Sequence, residues 1–475
     1  MPENETLVFP FHGLRYKDVA LESVTAPPYD VIDQSMQDWL YAQHPHNVVR
    51  LELNAVTPDD SIGDNAYTRA SAHFRHWQDE GILQPEEAPA MYAYTQSWRE
   101  KGENDKPVGQ IIERKGIWTL LALEPYETRR VLPHEHTLKG PKLDRMNLMK
   151  TTLGNFSPIF MIYADPKQEL ETSLKGVEAS LKWQQAIDQD QVTHKIAPIT
   201  DNALLEKIQA VLKEQRLLIA DGHHRYETAL AFKAEARARY RQLHGKEAPE
   251  GSLLSDYLMV FVSNLHDPGL KVYPTDRVLH HWPEGFSQDS FEKALFSSFN
   301  QVTSGEDFTY QANGKAPCKL KLKDKASLGD LHPDLHQLDT AILEEAVFKG
   351  IFKAAGEQLK ASHTLGFYRN PKQVEKLLKH GDAVAVFYMA TPPVSLIKEV
   401  CEAGHRMPQK STYFYPKLLS GLVFYSYAPF AQKTGIAHAL TDVSLKAAAP
   451  IETLPIGAFS LEKDGLDYQL ALVPD

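Results

Sequence analysis

The sequence LLIADGHHRY at residues 217–226 is the stretch that best predicts the fold of this chain. Its first four residues are apolar, which is typical of a short buried strand, and the Asp-Gly pair after them ends that strand. Upstream, apolar residues between 204 and 212 recur at the spacing of one helical face, and Thr200 or Asp201 can cap its start. We therefore predict helix, strand, turn and helix in succession over residues 201–242.

The turn at 221–226 is predicted to bind phosphate or a nucleotide, because N–H groups at the start of a helix attract anions. Gly222 and Arg225 are the predicted phosphate-binding residues, since a guanidinium can bind phosphate through two hydrogen bonds. Asp221 is a candidate catalytic residue and Mg²⁺ ligand, and His223 or His224 could transfer a proton. The alternative is a structural turn in which Asp221 caps the helix and Arg225 forms a surface ion pair.

A second candidate segment, 134–145, contains His134, His136, Lys139, Lys142 and Arg145. The His-x-His pair would share one face of a strand and could bind a metal there, but no third ligand at a recognisable spacing supports zinc. We interpret the segment as an anion or substrate site. A solvated charged loop explains the same residues equally well.

The third candidate segment is MPQKSTYFYPK at residues 407–417. Lys410, Ser411, Thr412 and Lys417 could supply cations and hydroxyls to a phosphorylated ligand. The segment lacks the glycines of a Walker A loop, so its Lys-Ser-Thr triplet alone does not predict a P-loop. Taken alone, the segment is better explained as an aromatic strand or loop that packs the C-terminal part of the chain.

Three further pocket candidates lie near the N-terminus. Asp30 follows two prolines and a tyrosine, and it is either a pocket carboxylate or a turn residue. Residues 48–53 alternate in part and predict a strand, on which Arg50 and Glu52 would share one face and could simply pair. We also predict a helix over 65–82 and strands at 91–95, 116–123, 158–163 and 258–262.

The 475 residues have the composition of a globular protein, with 43% hydrophobic and 24% charged residues. Helical and strand patterns alternate, which predicts an α/β (mixed α+β) fold with several lobes. We place the lobe boundaries at 1–165, 166–285 and 286–475, with the helix-strand-turn-helix segment in the central lobe. The oligomeric state stays open.

Charge and cysteine content exclude several classes of protein. The formal net charge of −11 argues against a nucleic acid partner. The two cysteines lie far apart, which argues against a disulfide scaffold. The acidic N-terminus does not resemble a signal peptide, and no apolar run of about 18 residues predicts a membrane span. The expected location is the cytoplasm.

Five motifs together resemble one protein family. They are PPYDV, the PHEHT…DR segment, NFSPIF, ADGHHRYETA and MPQKSTYFYPK. In this order they resemble the bacterial and archaeal family called domain of unknown function 1015, over residues 9–425. The chain departs from the expected pattern at residue 276, where Asp276 stands in place of His, so no catalytic role is assigned to that position.

Residues 200–235 are also similar to the ParB and sulfiredoxin superfamily, which includes an ADP-dependent free serine kinase with a similar Asp-Gly-His-x-Arg motif. This resemblance implies that Asp221, His223 and Arg225 face phosphates and a metal ion. Asp30 and Glu52 are the candidates for the kinase's catalytic carboxylate.

Together the motifs and resemblances predict a phosphoryl-transfer enzyme, a kinase or a phosphatase, that acts on a small hydroxylated metabolite. Serine or O-phosphoserine is the candidate substrate, Mg²⁺ the suspected metal and ADP or ATP the candidate nucleotide. The alternative is a ParB-like regulatory protein that binds a nucleotide without catalysis. A nuclease or other nucleic-acid module is a third, weaker hypothesis.

Overall fold

A computed structural model describes residues 6–102, 106–137, 139–428, 459–464 and 467–472. The chain divides into two compact units. Unit 1 comprises Met1–Val131, Thr137–Leu270 and Pro416–Asp475, and unit 2 comprises Leu132–His136 and Lys271–Tyr415.

The helices and strands alternate along the chain. The α-helices are α1 Leu21–Val24, α2 Gln34–Gln43, α3 Val49–Glu52, α4 Ala66–Asp79, α5 Lys139–Thr152, α6 Glu169–Val177, α7 Asn202–Lys213, α8 His223–His244, α9 Gln288–Ser298, α10 Asp339–Ile342, α11 Gly356–Ala361, α12 Pro371–His380 and α13 Val394–Glu402. The strands are β1 Val8–Phe9, β2 Leu14–Tyr16, β3 Leu83–Pro85, β4 Met91–Lys101, β5 Pro107–Ala122, β6 Val131–Leu132, β7 Gly154–Asn155, β8 Ile159–Tyr163, β9 Gln184–Ile187, β10 Thr193–Ile199, β11 Leu217–Asp221, β12 Tyr257–Asn264, β13 Lys271–Tyr273, β14 Asp276–Leu279, β15 Phe299–Val302, β16 Phe308–Ala312, β17 Cys318–Leu322, β18 Leu365–Tyr368, β19 Ala385–Tyr388, β20 Tyr413–Tyr415, β21 Tyr425–Ser426, β22 Phe459–Asp464 and β23 Asp467–Leu472.

Unit 1 is built on a nine-stranded mixed sheet in the order β6-β11-β8-β12-β5-β4-β10-β9, with β1 paired to β5. Strands β8 and β12 are parallel, whereas β11 and β8 are antiparallel. The predicted strands at 91–95, 116–123, 158–163 and 258–262 are confirmed as parts of β4, β5, β8 and β12. The side chains of Trp118, Phe160 and Phe261 are buried on this sheet. The α/β fold class is confirmed.

The predicted order of helix, strand, turn and helix is confirmed. Helix α7 begins after Asp201, whose carboxylate accepts a hydrogen bond from the Leu204 amide at 2.9 Å. Strand β11 is buried, as its apolar run predicts. Gly222 then takes a left-handed conformation with φ +97°, and α8 starts at the next residue. The predicted helix at 65–82 is likewise confirmed as α4.

The predicted strand at 48–53 is wrong, because residues 49–52 form the short helix α3. The side chain of Asn47 accepts a hydrogen bond from the Val49 amide at 3.0 Å and so starts the helical turn. Val49 and Leu51 are both buried although they lie on different sides of one turn. Their alternation in sequence therefore mimics a strand. Arg50 and Glu52 do not share a strand face.

The charged segment after residue 138 is a helix and not a solvated loop. Residues 139–152 form α5, despite Gly140 and Pro141 near its start. Proline is tolerated in the first turn of a helix, because the N–H group that it lacks has no partner there.

The predicted lobe boundary at residue 165 falls within the large sheet of unit 1. Strand β8 precedes this boundary and pairs with β12, which follows it. Residues 416–428 belong to unit 1 as well, although they lie in the predicted C-terminal lobe. The chain therefore has two compact units where the sequence pattern predicts three lobes.

Unit 2 is built on a six-stranded antiparallel sheet in the order β15-β17-β16-β19-β14-β18. Its core is aromatic, and Phe291 stacks on Phe352 with ring centroids 4.9 Å apart. Residues 343–352 form a π-helix that packs into this core. π-Helical turns are rare and frequently occur at functional sites.

Among the described residues, no helix combines the length and the apolar character that a membrane crossing requires.

Candidate functional site

The turn between β11 and α8 is the centre of the candidate site in unit 1. Gly222 is required there for two reasons. Its φ of +97° is strained for any residue with a side chain, and a Cβ atom would lie 2.8 Å from Ile159 Cδ1 and 3.0 Å from Arg225 Nη2. The sequence Asp-Gly-His therefore allows β11 to turn directly into α8, whose first amides the helix itself does not use.

Arg225 holds this turn from inside the protein, since the residue is only 8% exposed. Its Nη1 donates to Ser157 Oγ at 2.9 Å and to the Pro158 carbonyl at 2.8 Å, and its Nη2 donates to Asp221 Oδ2 at 3.0 Å. The other oxygen of Asp221 accepts from Lys417 Nζ at 2.5 Å. Asp221 is therefore neutralised by two cations. The ion pair of Arg225 is part-buried, with the Arg225 side chain 10% and the Asp221 side chain 22% exposed, and is not a surface ion pair.

Arg145, on α5, is the second buried guanidinium of the site, 6% exposed. Its Nη1 donates to the Glu52 carbonyl at 2.9 Å and lies 3.4 Å from Glu52 Oε1, and its Nε donates to Asp144 Oδ2 at 2.7 Å. The guanidinium carbon lies 3.9 Å from the ring centroid of Tyr29, which is cation–π geometry.

Ser157 links the two guanidinium groups. Its hydroxyl accepts the hydrogen bond from Arg225 and donates to Glu52 Oε1 at 3.0 Å, while Glu52 in turn contacts Arg145. Glu52 is 3% exposed, so this carboxylate is held by partners on both sides away from solvent. One polar network thus connects Asp221 with Arg145.

Tyr29 lies beside this network, and charged side chains around it influence the pKa of its phenol. Burial raises the pKa of its phenol to about 12, and the charges of Arg145, Asp30, Arg225 and Glu52 act on it as smaller influences. These four side chains therefore lie within electrostatic range of one ring. Asp30 belongs to the 3-10 turn Tyr29–Val31 and is exposed. The structure thus brings four of the predicted candidates together.

The remaining candidates of unit 1 near the turn are placed as follows. His223 is buried and His224 half-buried, in the first turn of α8. Lys142, on α5, donates from Nζ to Glu227 Oε2 on α8 at 3.0 Å, so its charge is paired with that carboxylate. Lys139 begins α5, but its side chain lies outside the described part of the chain.

The hydrogen bonds of Arg50 do not connect it to the network around Tyr29. Its guanidinium donates to the carbonyls of His44 and Tyr41 at 2.9 and 3.0 Å and lies 4.2 Å from the centroid of the Tyr41 ring. These contacts join α2 to α3, which is a structural arrangement.

The predicted candidates in the segments 132–136 and 407–415 belong to unit 2. His134 Nε2 and Thr412 Oγ1 are hydrogen-bonded at 2.8 Å, and the His134 ring is buried. The Ser411 hydroxyl is buried and donates to the Pro408 carbonyl at 2.6 Å. Lys410 is half-buried and has a positive φ of +57°. The contact between His134 and Thr412 therefore joins the two segments, and that between Ser411 and Pro408 lies within its own loop.

Unit 2 contains a cavity of about 1110 Å³, and His136 is one of its lining residues. Arg277 also lines the cavity, and burial lowers the pKa of its guanidinium to about 10. The π-helix contributes Glu344, Glu345 and Phe348 to the wall. The cavity wall therefore combines apolar side chains with side chains of both charges.

Two residues of the unit 1 site, Tyr29 and Ser157, are not among the candidates from the sequence. Tyr29 lies within PPYDV and Ser157 within NFSPIF. Lys417, the last residue of MPQKSTYFYPK, is a candidate cation from the sequence, and the structure places its ammonium group on Asp221. The sequence feature that could identify Tyr29 and Ser157 as site residues is a polar side chain beside an apolar or proline-rich run.

The motifs are those of one family. A family model described as "Protein of unknown function (DUF1015)" matches residues 8–384. The chain belongs to this family. The resemblance that the five motifs indicate is thereby confirmed. A search of curated proteins finds no match for this DUF1015 chain.

Solved structures show only weak likeness to the DUF1015 chain. A free serine kinase in complex with AMP has 10% identity and a TM-score of 0.33, covering 67% of this chain and 92% of that one. SbnI with C-terminal truncation from Staphylococcus aureus has 12% identity and a TM-score of 0.36, covering 66% and 90%. A conserved hypothetical protein from Pyrococcus furiosus has 12% identity and a TM-score of 0.35, covering 68% and 98%. The function is therefore argued from the site itself.

Proposed function

We propose that the protein is a phosphoryl-transfer enzyme that acts on a small hydroxylated metabolite, with serine or O-phosphoserine as the first substrates to test. A nucleotide such as ADP or ATP is the proposed second ligand. One observation carries the proposal: Arg225 and Arg145, on separate helices, are joined through Ser157 and Glu52 in one polar network, and the guanidinium carbon of Arg145 lies 3.9 Å from the ring centroid of Tyr29, which is next to Asp30 in the chain. Phosphoryl transfer depends mainly on positioning and charge neutralisation, for which such a cluster is suited.

The phosphate would lie at the start of α8. The amides of Gly222, His223 and His224 belong to the turn where an anion is favoured by the helix dipole. Lys417 supplies a positive charge beside them, through its contact with Asp221. Arg225 acts in this proposal as a positioning residue, because its three hydrogen bonds go to the protein.

Asp30 is the proposed general base. A base must reach the substrate hydroxyl, and Asp30 is exposed whereas Glu52 is buried between Ser157 and Arg145. In the kinase direction the substrate oxygen forms a bond to phosphorus, and the bond to the nucleotide leaving group breaks. The substrate proton passes to the carboxylate of Asp30. In the reverse direction the protonated carboxylate of Asp30 returns the proton to the substrate oxygen as its bond to phosphorus breaks. His223 and His224 stay candidates for proton transfer.

The carboxylate of Asp221 does not fit a Mg²⁺ ion while Lys417 and Arg225 contact its two oxygens. A metal ion there would have to replace the ammonium group. Magnesium commonly binds with several waters and substrate phosphates, and it neutralises phosphate charge when bound. We route no step of the proposed reaction through it.

The test begins with thermal-shift measurements of the full chain with AMP, ADP and ATP. Serine with ADP or ATP, and separately O-phosphoserine, are then followed by ³¹P NMR for product. The decisive variant is Asp30→Asn, because this residue is exposed and its substitution should leave the fold intact. General-base catalysis contributes about 10²–10⁴-fold, so turnover should fall by at least about 100-fold.

The matched control is Asp79→Asn, since Asp79 is an exposed aspartate at the end of α4 in the same unit. This control should retain full turnover and the same nucleotide-induced shift. Undiminished turnover by Asp30→Asn would contradict the role of the base. A complete lack of nucleotide binding would contradict the site.

A nucleotide-binding regulatory protein is the second candidate function. The two cations on Asp221 favour it, because a neutralised carboxylate can organise a binding turn without taking part in catalysis. Nucleotide binding without product from serine or O-phosphoserine would support this alternative.

A further inference from the structure

A second constellation of ligand-type side chains lies in unit 2, apart from the site proposed above. It consists of His332, Asp334 and His405, whose ligand atoms all lie within 4.8 Å of one another. The two imidazole rings face each other with centroids 3.9 Å apart. We propose that these three residues bind one divalent transition-metal ion of the zinc type.

Two of the three separations between the ligand atoms are close to those of a tetrahedral site. His332 Nδ1 lies 3.3 Å from Asp334 Oδ2, and His405 Nε2 lies 3.6 Å from the same oxygen. Zinc binds imidazole nitrogen and carboxylate oxygen at about 2.0–2.1 Å, and tetrahedral angles then put neighbouring ligand atoms about 3.3 Å apart. The two ring centroids would have to move apart from 3.9 Å to about 5 Å for both nitrogens to bind one ion, a change that the exposed side chain of His332 can supply.

Local structure holds the three residues in place before any metal binds. His332 is the N-cap of a 3-10 helix whose first residue is Pro333, and Asp334 lies in its first turn. His405 follows the end of α13, and its amide donates to the Val400 carbonyl at 3.0 Å. The amide of Asp334 also donates to His332 Nδ1, but at 3.4 Å, which is longer than a usual hydrogen bond. This contact is a weak competitor for a metal.

The surroundings suit a site that exchanges ligands. His332 and His405 both line the cavity of about 1110 Å³, so an ion between them would border that cavity. Three protein ligands leave at least one position for water or a small molecule, as in catalytic zinc sites. The two imidazole ligands favour zinc, copper or nickel over calcium.

The test measures metal binding and does not depend on turnover, so its failure is separate from failure of the proposed phosphoryl transfer. Untagged full-length protein is treated with a chelator, and Zn²⁺ is then titrated by calorimetry. We expect binding of about one equivalent. Co²⁺ in its place should give the visible absorption of a tetrahedral site.

Two variants locate the ion, and a third controls for histidine content. Loss of a supporting partner alone weakens metal binding about 10–100-fold, so His405→Ala and Asp334→Asn should each weaken it by at least about 10-fold. His380→Ala, at the exposed end of α12, should bind like the wild type. No stoichiometric binding, or equal binding by both site variants and the wild type, would overturn the proposal.

Discussion

Gly222→Ala tests the turn on which the proposed function depends. The substitution adds one methyl group at a residue with φ +97°, where the new Cβ would meet Ile159 Cδ1 at 2.8 Å and Arg225 Nη2 at 3.0 Å. The variant should therefore both strain the backbone and push Arg225 away from Asp221. We expect lower stability and weaker nucleotide binding together.

The expected loss of stability can be estimated by comparison with Gly245→Ala, at the other end of α8. Gly245 also has a positive φ, +66°, but no atom lies within 4 Å of its Cβ position. Its substitution should cost only the left-handed backbone strain, about 1–2 kcal/mol. Gly222→Ala carries a similar strain and adds an overpacking cost of about 1–3 kcal/mol.

Urea unfolding of both variants, followed by tryptophan fluorescence, measures the difference. Five of the six tryptophans lie in unit 1, so the signal reports mainly on that unit. Gly222→Ala should unfold at the lower urea concentration and lose the ADP-induced thermal shift, whereas Gly245→Ala should keep it. Equal destabilisation by the two substitutions would refute the packing of Arg225 against the turn.

Three further outcomes are expected. Burial raises the pKa of Asp339 to about 6, so the folded state holds its proton more tightly than the unfolded state. Stability should therefore fall by about 2 kcal/mol as pH rises from 4 to 7, and Asp339→Asn should lack this fall in urea titrations at the two pH values. The Cys401 thiol is buried and burial raises its pKa to about 12, so in a variant without the other cysteine it should react with a disulfide reagent only after unfolding. Glu52→Gln should destabilise the protein by roughly 3 kcal/mol in urea unfolding, because it weakens the buried partner of Arg145; a change below about 1 kcal/mol would contradict that pairing.

The segment 201–242 could be predicted because each of its features is local. Helix α7 is specified by its apolar spacing and the cap at Asp201, and β11 by a short apolar run. Gly222 marks the point where the chain must adopt a left-handed conformation. None of these features requires knowledge of a distant residue.

The short helix α3 could not be predicted in the same way. Its four residues are too few to display a helical period, and buried side chains at 49 and 51 imitate the alternation of a strand. The Asn47 side chain that caps the turn is a local feature, but asparagine also precedes many strands and loops.

The convergence of the site depends on tertiary structure. Asp30, Glu52 and Arg225 were each candidates from the sequence, yet only the fold of unit 1 places their charges around Tyr29. Nothing in the sequence around Ser157 predicts that its hydroxyl joins Arg225 to Glu52. The candidate Arg50 could not be separated from site residues by its sequence, because its hydrogen bonds go to the backbone carbonyls of His44 and Tyr41.

The buried charges of this network are difficult to explain by stability alone. Moving an ion pair out of water is costly, and apolar residues of similar volume often stabilise a fold as well or better. Glu52, Arg145 and Arg225 nevertheless lie almost fully buried, joined through Ser157. What the ionic arrangement provides, and an apolar core would not, is fixed orientation and a fixed electrostatic field beside an exposed carboxylate and a helix start. This is the requirement of a site that must position and neutralise an anionic ligand.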